Sequence, residues 1–174
     1  EDSDPVELWP GSSSEEAEIA INAVYRQVLG NAYVMESERL TFPESQLKRG
    51  EISVREFVRQ VAKSDLYRTR FFTSCARYRY IELAYKHLLG RAPTGFDEMK
   101  AHSAILDTEG FEADIDSFLD SDEYQTVYGE DTVPFIRGYK TEACKTMVEF
   151  THFFKLQRGA SSSDLKGSLA GNRP

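Results

Sequence analysis

Tyr25-Arg26-Gln27-Val28-Leu29-Gly30 returns at an offset of 60 residues as Tyr85-Lys86-His87-Leu88-Leu89-Gly90. Each block ends an apolar helical stripe on a glycine, the residue that most easily adopts the left-handed conformation that stops a helix. A second pair occurs in the same order: Ser64-Asp65-Leu66-Tyr67 and Ser121-Asp122-Glu123-Tyr124, at an offset of 57. Two motifs that agree in order predict one domain built from two similar helical halves; two units are too few for a solenoid.

The intervals fill in as helices. Ser13 and Glu16 have capping-box spacing, and Ala17, Ile21, Val24 and Val28 then share one helical face up to Gly30. Pro43 opens the next helix, and Ser53 with Glu56 caps a stripe of Val54, Phe57, Val58, Val61 and Ala62. Further helices are expected over 66–72 and 78–89, and from a Thr94–Asp97 cap through Met99, His102 and Leu106. Two more are expected, through Phe111, Ile115, Phe118 and Leu119, and from Ser121 to Gly129. Residues 130–140, with Pro134 and Gly138, read as an extended connector, and Thr141 caps a last helix through Cys144, Met147, Val148, Thr151 and Phe154. No stretch alternates over a strand's length. The prediction is an all-α domain over residues 13–158, of about seven to eight helices, between an extended segment 1–12 and a flexible tail 159–174. Leu8 and Trp9 form an isolated apolar pair in that first segment and are expected to pack back on the domain.

Charge is segregated along the chain. The net charge is -8, but residues 48–91 carry 11 basic and 4 acidic side chains, against 3 basic and 13 acidic in 92–142. Residues 1–47 carry 2 basic and 10 acidic. An acidic chain is a poor general binder of nucleic acid, so an RNA-binding reading is disfavoured, yet a local basic face can steer an acidic protein partner. The distinctive stretch is 67–80, where Arg68, Arg70, Arg77 and Arg79 interleave with Phe71, Phe72, Tyr78 and Tyr80. Arginine pairs with carboxylates in a fork and aromatics bury much area at low entropy cost, so these residues, with Arg55 and Arg59, are the predicted partner-binding set. The competing reading makes the aromatics core and the arginines neutralisers of the acidic flanks.

Catalytic and metal chemistry find no purchase. His87, His102 and His152 lie at no metal-ligand spacing, and the carboxylates Asp114, Asp116 and Asp120 fit a solvated helix face. There is no phosphate loop, nucleophile elbow or Cys-x-x-Cys, so neither an enzyme nor a cofactor is expected. Cys75 and Cys144 are too few for a disulfide framework and suit a reducing compartment. No apolar run reaches transmembrane length. The opening Glu1-Asp2-Ser3-Asp4 has no signal-peptide character and reads as an internal position of a longer chain.

The same residues carry a family likeness. Ala23-Val24-Tyr25-Arg26-Gln27-Val28-Leu29-Gly30-Asn31, Val54-Arg55-Glu56-Phe57-Val58-Arg59, Leu88-Leu89-Gly90-Arg91-Ala92-Pro93 and Asp116-Ser117-Phe118-Leu119-Asp120-Ser121-Asp122-Glu123-Tyr124 resemble, in order, the phycobilisome linker domain. The likeness covers about residues 13–160, and Gly159-Ala160-Ser161-Ser162-Ser163 resembles the segment after this domain in rod linkers. The resemblance implies a colourless scaffold, without a bilin on Cys75 or Cys144. It would sit in the central hole of phycobiliprotein trimers or hexamers (phycocyanin or phycoerythrin), join rings into rods beside neighbouring linkers, and tune bilin energy transfer. It implies a peripheral place on the cytosolic or stromal face of thylakoids. A core-membrane linker repeat is the near alternative. Rod linkers are usually basic and this chain is acidic, which assigns the docking to the basic segment.

Overall fold

The computed structural model describes residues 4–30 and 34–137. The expected last helix, Cys144, His152 and the tail lie outside the described residues.

Serine caps start four of the eight described helices. The Ser13 side chain accepts from the Glu16 amide, and α1 runs Ser14–Leu29 with Ala17, Ala20, Ile21, Val24, Tyr25 and Val28 buried. After a single 3-10 turn at Glu36–Glu38, α2 spans Thr41–Lys48. It begins two residues before Pro43, because a proline needs no amide partner in a first turn. α3 spans Val54–Ala62 and is capped by Ser53, while α4 (Asp65–Tyr67) is capped by Ser64 and opens into a wide π-helical turn over Arg68–Thr73.

The second half repeats the plan. α5 (Arg77–Ala84) passes into a second π-helical turn at Tyr85–Leu89, and then come α6 (Phe96–Thr108), α7 (Phe111–Leu119) and α8 (Asp122–Val127). One expected cap is different. Gly95, in extended conformation, precedes α6, and the Thr94 hydroxyl donates to the Glu98 carboxylate instead of accepting from the helix. The repeated Ser-Asp-x-Tyr motif makes the same local structure twice. Ser64 Oγ donates to Val61 and accepts from the Tyr67 amide, and Ser121 Oγ donates to Phe118 and accepts from the Tyr124 amide. Both tyrosines are buried.

α1 lies against α2, α3 and the second π turn; α3 crosses to α7, and α6 packs on both α5 and α7. One apolar cluster therefore runs through both halves, from Ile21 and Phe57 to Ile81 and Phe118. Each such side chain stabilises the fold by about 1.5–3 kcal/mol when fully buried. The two π turns face each other across His87, whose ring is 4.7 Å from Phe71 and whose Nδ1 is 3.2 Å from the Tyr67 hydroxyl. Burial, reinforced by Lys86 and Arg79, pushes the His87 pKa down to about 3, so the ring is neutral.

The N-terminal segment and the C-terminal connector are pinned together. Leu8 donates to Asp131 and Val133 to Val6, each at 2.9 Å, around an isolated antiparallel bridge between Glu7 and Thr132. Apart from that bridge the described residues are helix, turn and loop. The expected apolar pair splits: Leu8 is buried, whereas Trp9 is 59% exposed. The connector ends on the close of the second π turn. The Tyr128 hydroxyl sits 2.8 Å from the Leu89 carbonyl and 2.9 Å from that of Phe135, and the Arg137 amide and Nε reach the Gly90 and Leu89 carbonyls.

Candidate docking surface

The +7 segment and the acidic segment after it meet in space. Arg59, on α3, lies 2.5 Å from Asp116 and 2.6 Å from Asp120 on α7, and 3.1 Å from Glu56 on its own helix. Lys63 also reaches Asp116, and Arg55 pairs with Glu130 at 2.8 Å. Arg91 holds Glu98 and Glu123, and Arg137 joins Glu123 at 2.6 Å. Burial would raise the Glu123 pKa, but hydrogen bonds from Arg91 and Arg137 more than offset it and hold the carboxyl down at about 2. Hydrogen bonds from Arg59 likewise hold Asp120 below the usual range. Much of the basic segment therefore neutralises the acidic half of its own chain.

The Arg-aromatic stretch divides in the same way. Phe71 and Tyr80 are buried, at 2% and 0% exposure. Phe72 is half-buried, edge-on to Tyr80 at 5.0 Å and tilted against Phe111 at 4.8 Å. These rings are inward because 67, 71, 80 and 81 share the faces that close over α7. Arg70 lies 3.6 Å from Glu38, Arg79 3.4 Å from Glu82, and Arg77 bonds Ser103 and Asp107. Of its arginines and aromatics the stretch presents outward Arg68, Arg77 and Tyr78. Arg68 lies over the Phe72 and Phe111 rings at 5.9 and 5.6 Å, and Tyr78 pairs with the exposed ring of Phe96. Among the described residues, the cations without a carboxylate within ion-pair distance are Arg26, Arg68, Lys86 and Lys100.

Asp114 corrects one sequence expectation. It is not on a solvated face but fully buried, because 111, 114, 115 and 118 form the inward side of α7. Its carboxylate accepts from the Tyr80 hydroxyl at 2.9 Å and lies 2.6 Å from His102 Nδ1. Asp116 and Asp120 are at the surface, but paired. Ser117 Oγ also lies 3.4 Å from His102 Nδ1, so serine and aspartate address the same ring nitrogen. A Ser-His-Asp device needs them on opposite nitrogens, with the serine open to substrate. The group is a buried tie between α5, α6 and α7. The period of α7 already carried that signal, since Asp114 sits one position before Ile115 and three after Phe111. Among the described residues, no three His, Cys, Asp or Glu side chains converge as metal ligands.

The family model for the phycobilisome linker polypeptide matches residues 12–137. The phycoerythrin-associated 31.8 kDa rod linker of Microchaete diplosiphon is 71% identical over 98% of this chain and 59% of its own length. A 27.9 kDa phycoerythrin-associated rod linker of the same organism is 54% identical over 91% of this chain and 64% of its length. The phycocyanin-associated 32.1 kDa rod linker of Mastigocladus laminosus is 48% identical over 97% of this chain and 59% of its length. The chain spans about three fifths of the length of these relatives. The double serine-capped plan, the paired glycine stops and these matches together place the chain in the phycobilisome linker polypeptide family.

Proposed function

We propose that the chain is the linker domain of a phycoerythrin-associated rod linker. It acts as a non-enzymatic scaffold in the central cavity of phycobiliprotein rings, joins rings into rods beside neighbouring linkers, and tunes energy transfer between their bilins without a pigment of its own. The observation that carries the choice of ring is the 71% identity to one phycoerythrin-associated rod linker, against 48–52% to the phycocyanin-associated ones. The rod terms in those names favour this reading over a core-membrane linker repeat. The place is peripheral, on the cytosolic or stromal face of the thylakoid. In agreement with this, no described helix is long and apolar enough to cross a membrane.

The docking surface of this reading is the outward side of the predicted set. Arg68 and Tyr78 would touch the ring, with Arg77 and Arg55 at the edges. Phe71, Phe72 and Tyr80 hold that surface from beneath, while Arg59, Arg70 and Arg79 fix its shape through their ion pairs. Arg68 is the member best placed to take a partner carboxylate, since among the described residues its guanidinium lies over aromatic rings and no carboxylate is within ion-pair distance. The test mixes the 174-residue chain with purified phycoerythrin and phycocyanin rings and monitors sedimentation and bilin emission. Binding to phycoerythrin with shifted emission is expected. Binding to phycocyanin alone would overturn the ring assignment, and binding to neither would overturn the linker reading.

A further inference from the structure

Trp9 is the single tryptophan of the chain, and it is presented, not buried. Its backbone is fixed on both sides. The Trp9 amide donates to Ser12 Oγ at 3.1 Å, and Ser12 returns its hydroxyl to the Trp9 carbonyl at 2.6 Å. The Ser12 amide closes the turn on the same carbonyl. Pro10 and Gly11 occupy the middle, Gly11 with φ at 88°, the combination of a type II turn. One residue earlier, buried Leu8 and the Leu8–Asp131 bond anchor the segment. A residue whose backbone is held this way loses little further main-chain freedom on binding, and a large aromatic so presented suits the energetic centre of an interface.

Its surroundings define the partner. Trp9 stands at the mouth of a cavity of about 290 Å³ floored by Leu8, Ala17, Leu47 and Val54. That volume admits an apolar side chain from outside. On the cavity wall Lys48 and Arg49 are already paired, with Glu18 and Glu51, whereas Asp131 on that wall and Asp4 and Glu7 on the N-terminal strap (residues 4–12) have no ion-pair partner among the described residues. We propose that Trp9 and this cavity form a second anchor, which receives an apolar side chain on a loop of the phycobiliprotein ring flanked by arginine or lysine. The inference rests on the rod-linker reading. It assigns the contact to a face separate from Arg68 and gives the acidic strap a complementary, cationic partner.

The test uses the lone tryptophan as its own reporter. The chain, labelled with 5-fluorotryptophan, gives one fluorine resonance, and phycoerythrin rings are then added. The resonance should shift and broaden. Trp9→Ala should weaken ring binding about 30-fold, as expected for a central aromatic anchor, with helix content unchanged, since the turn is tied through backbone and Ser12. Glu7→Lys should slow association and lessen its dependence on salt. An unmoved resonance on a saturated ring, or wild-type affinity in Trp9→Ala, overturns the anchor while the linker reading stands. Failure of the wild-type chain to bind any ring overturns both.

Discussion

Gly30 and Gly90 are the same residue of the repeat, yet replacing each by alanine has a different cost. Both have left-handed φ, 65° and 69°, so each substitution introduces about 1 kcal/mol of backbone strain. At Gly30 the new Cβ meets nothing closer than His87 Nε2 at 3.6 Å. At Gly90 it would stand 2.0 Å from the Phe135 carbonyl oxygen and 2.7 Å from the Tyr128 hydroxyl, so the connector must move. That displaces the Tyr128–Phe135, Arg137–Gly90 and Arg137–Leu89 hydrogen bonds. At about 1 kcal/mol net for each bond lost, Gly90→Ala should destabilise by about 3–4 kcal/mol in total and Gly30→Ala by about 1. In melting temperature the difference is about 10 °C against about 3 °C for a domain of this size. Urea unfolding monitored by circular dichroism reads both variants on one scale. Equal losses in the two would refute the argument, because they would mean that the connector does not rest on Gly90.

Acid should destabilise the fold, with His87 and Glu123 the acid-titrating groups shifted furthest. His87 is held near 3 in the folded chain against 6.5 in the unfolded one, so the unfolded chain gains the proton first; stability is intact above about pH 6.5 and declines as pH falls toward 3. Glu123, near 2 against 4.5, adds a loss that begins only below about pH 4.5. His87→Gln should flatten the upper part of the decline in urea midpoint, between pH 6.5 and 4.5, and a curve parallel to wild type there would show that His87 is not neutral in the fold. Arg68→Glu combined with Arg70→Glu should weaken ring association at least tenfold, with helix content retained and a melting point a few degrees lower from the lost Arg70–Glu38 pair. Undiminished ring binding in that double variant would move the docking surface elsewhere.

The helices are legible in the sequence because their signals are local. Ser13, Ser53 and Ser121 announce starts, Gly30 and Gly90 announce stops, and the apolar period between them names the buried face. The two-half organisation is legible for the same reason, since Tyr25 to Gly30 and Tyr85 to Gly90 repeat as strings. The candidate site is only half legible. Periodicity tells which ring lies inward once a helix is drawn, and Phe71 and Tyr80 obey it. It does not tell which arginine meets which carboxylate, since Arg59 and Asp120 are joined by tertiary crossing of α3 over α7. The π turns at 68–73 and 85–89 shift the helical phase within the very stretch where Arg and aromatics alternate, so composition there does not sort surface from core. Trp9 reads as a companion of Leu8 because neighbouring apolar residues suggest one fate, whereas an extended segment sends successive side chains to opposite sides.

The ion pairs between α3 and α7 also order the events of synthesis. A ribosome releases residues 48–91, with their 11 basic side chains, before it releases the 13 acidic ones of 92–142. Until α7 has emerged, Arg59 and Lys63 lack Asp116 and Asp120, and the first half carries both an uncovered apolar face and an unbalanced positive stretch. The halves resemble one another, but neither is a unit of folding. A chain cut between Gly90 and Phe111 keeps one full copy of the repeat but loses Asp116 and Asp120, the counter-charges of Arg59 and Lys63, and the α7 face that α3 packs against.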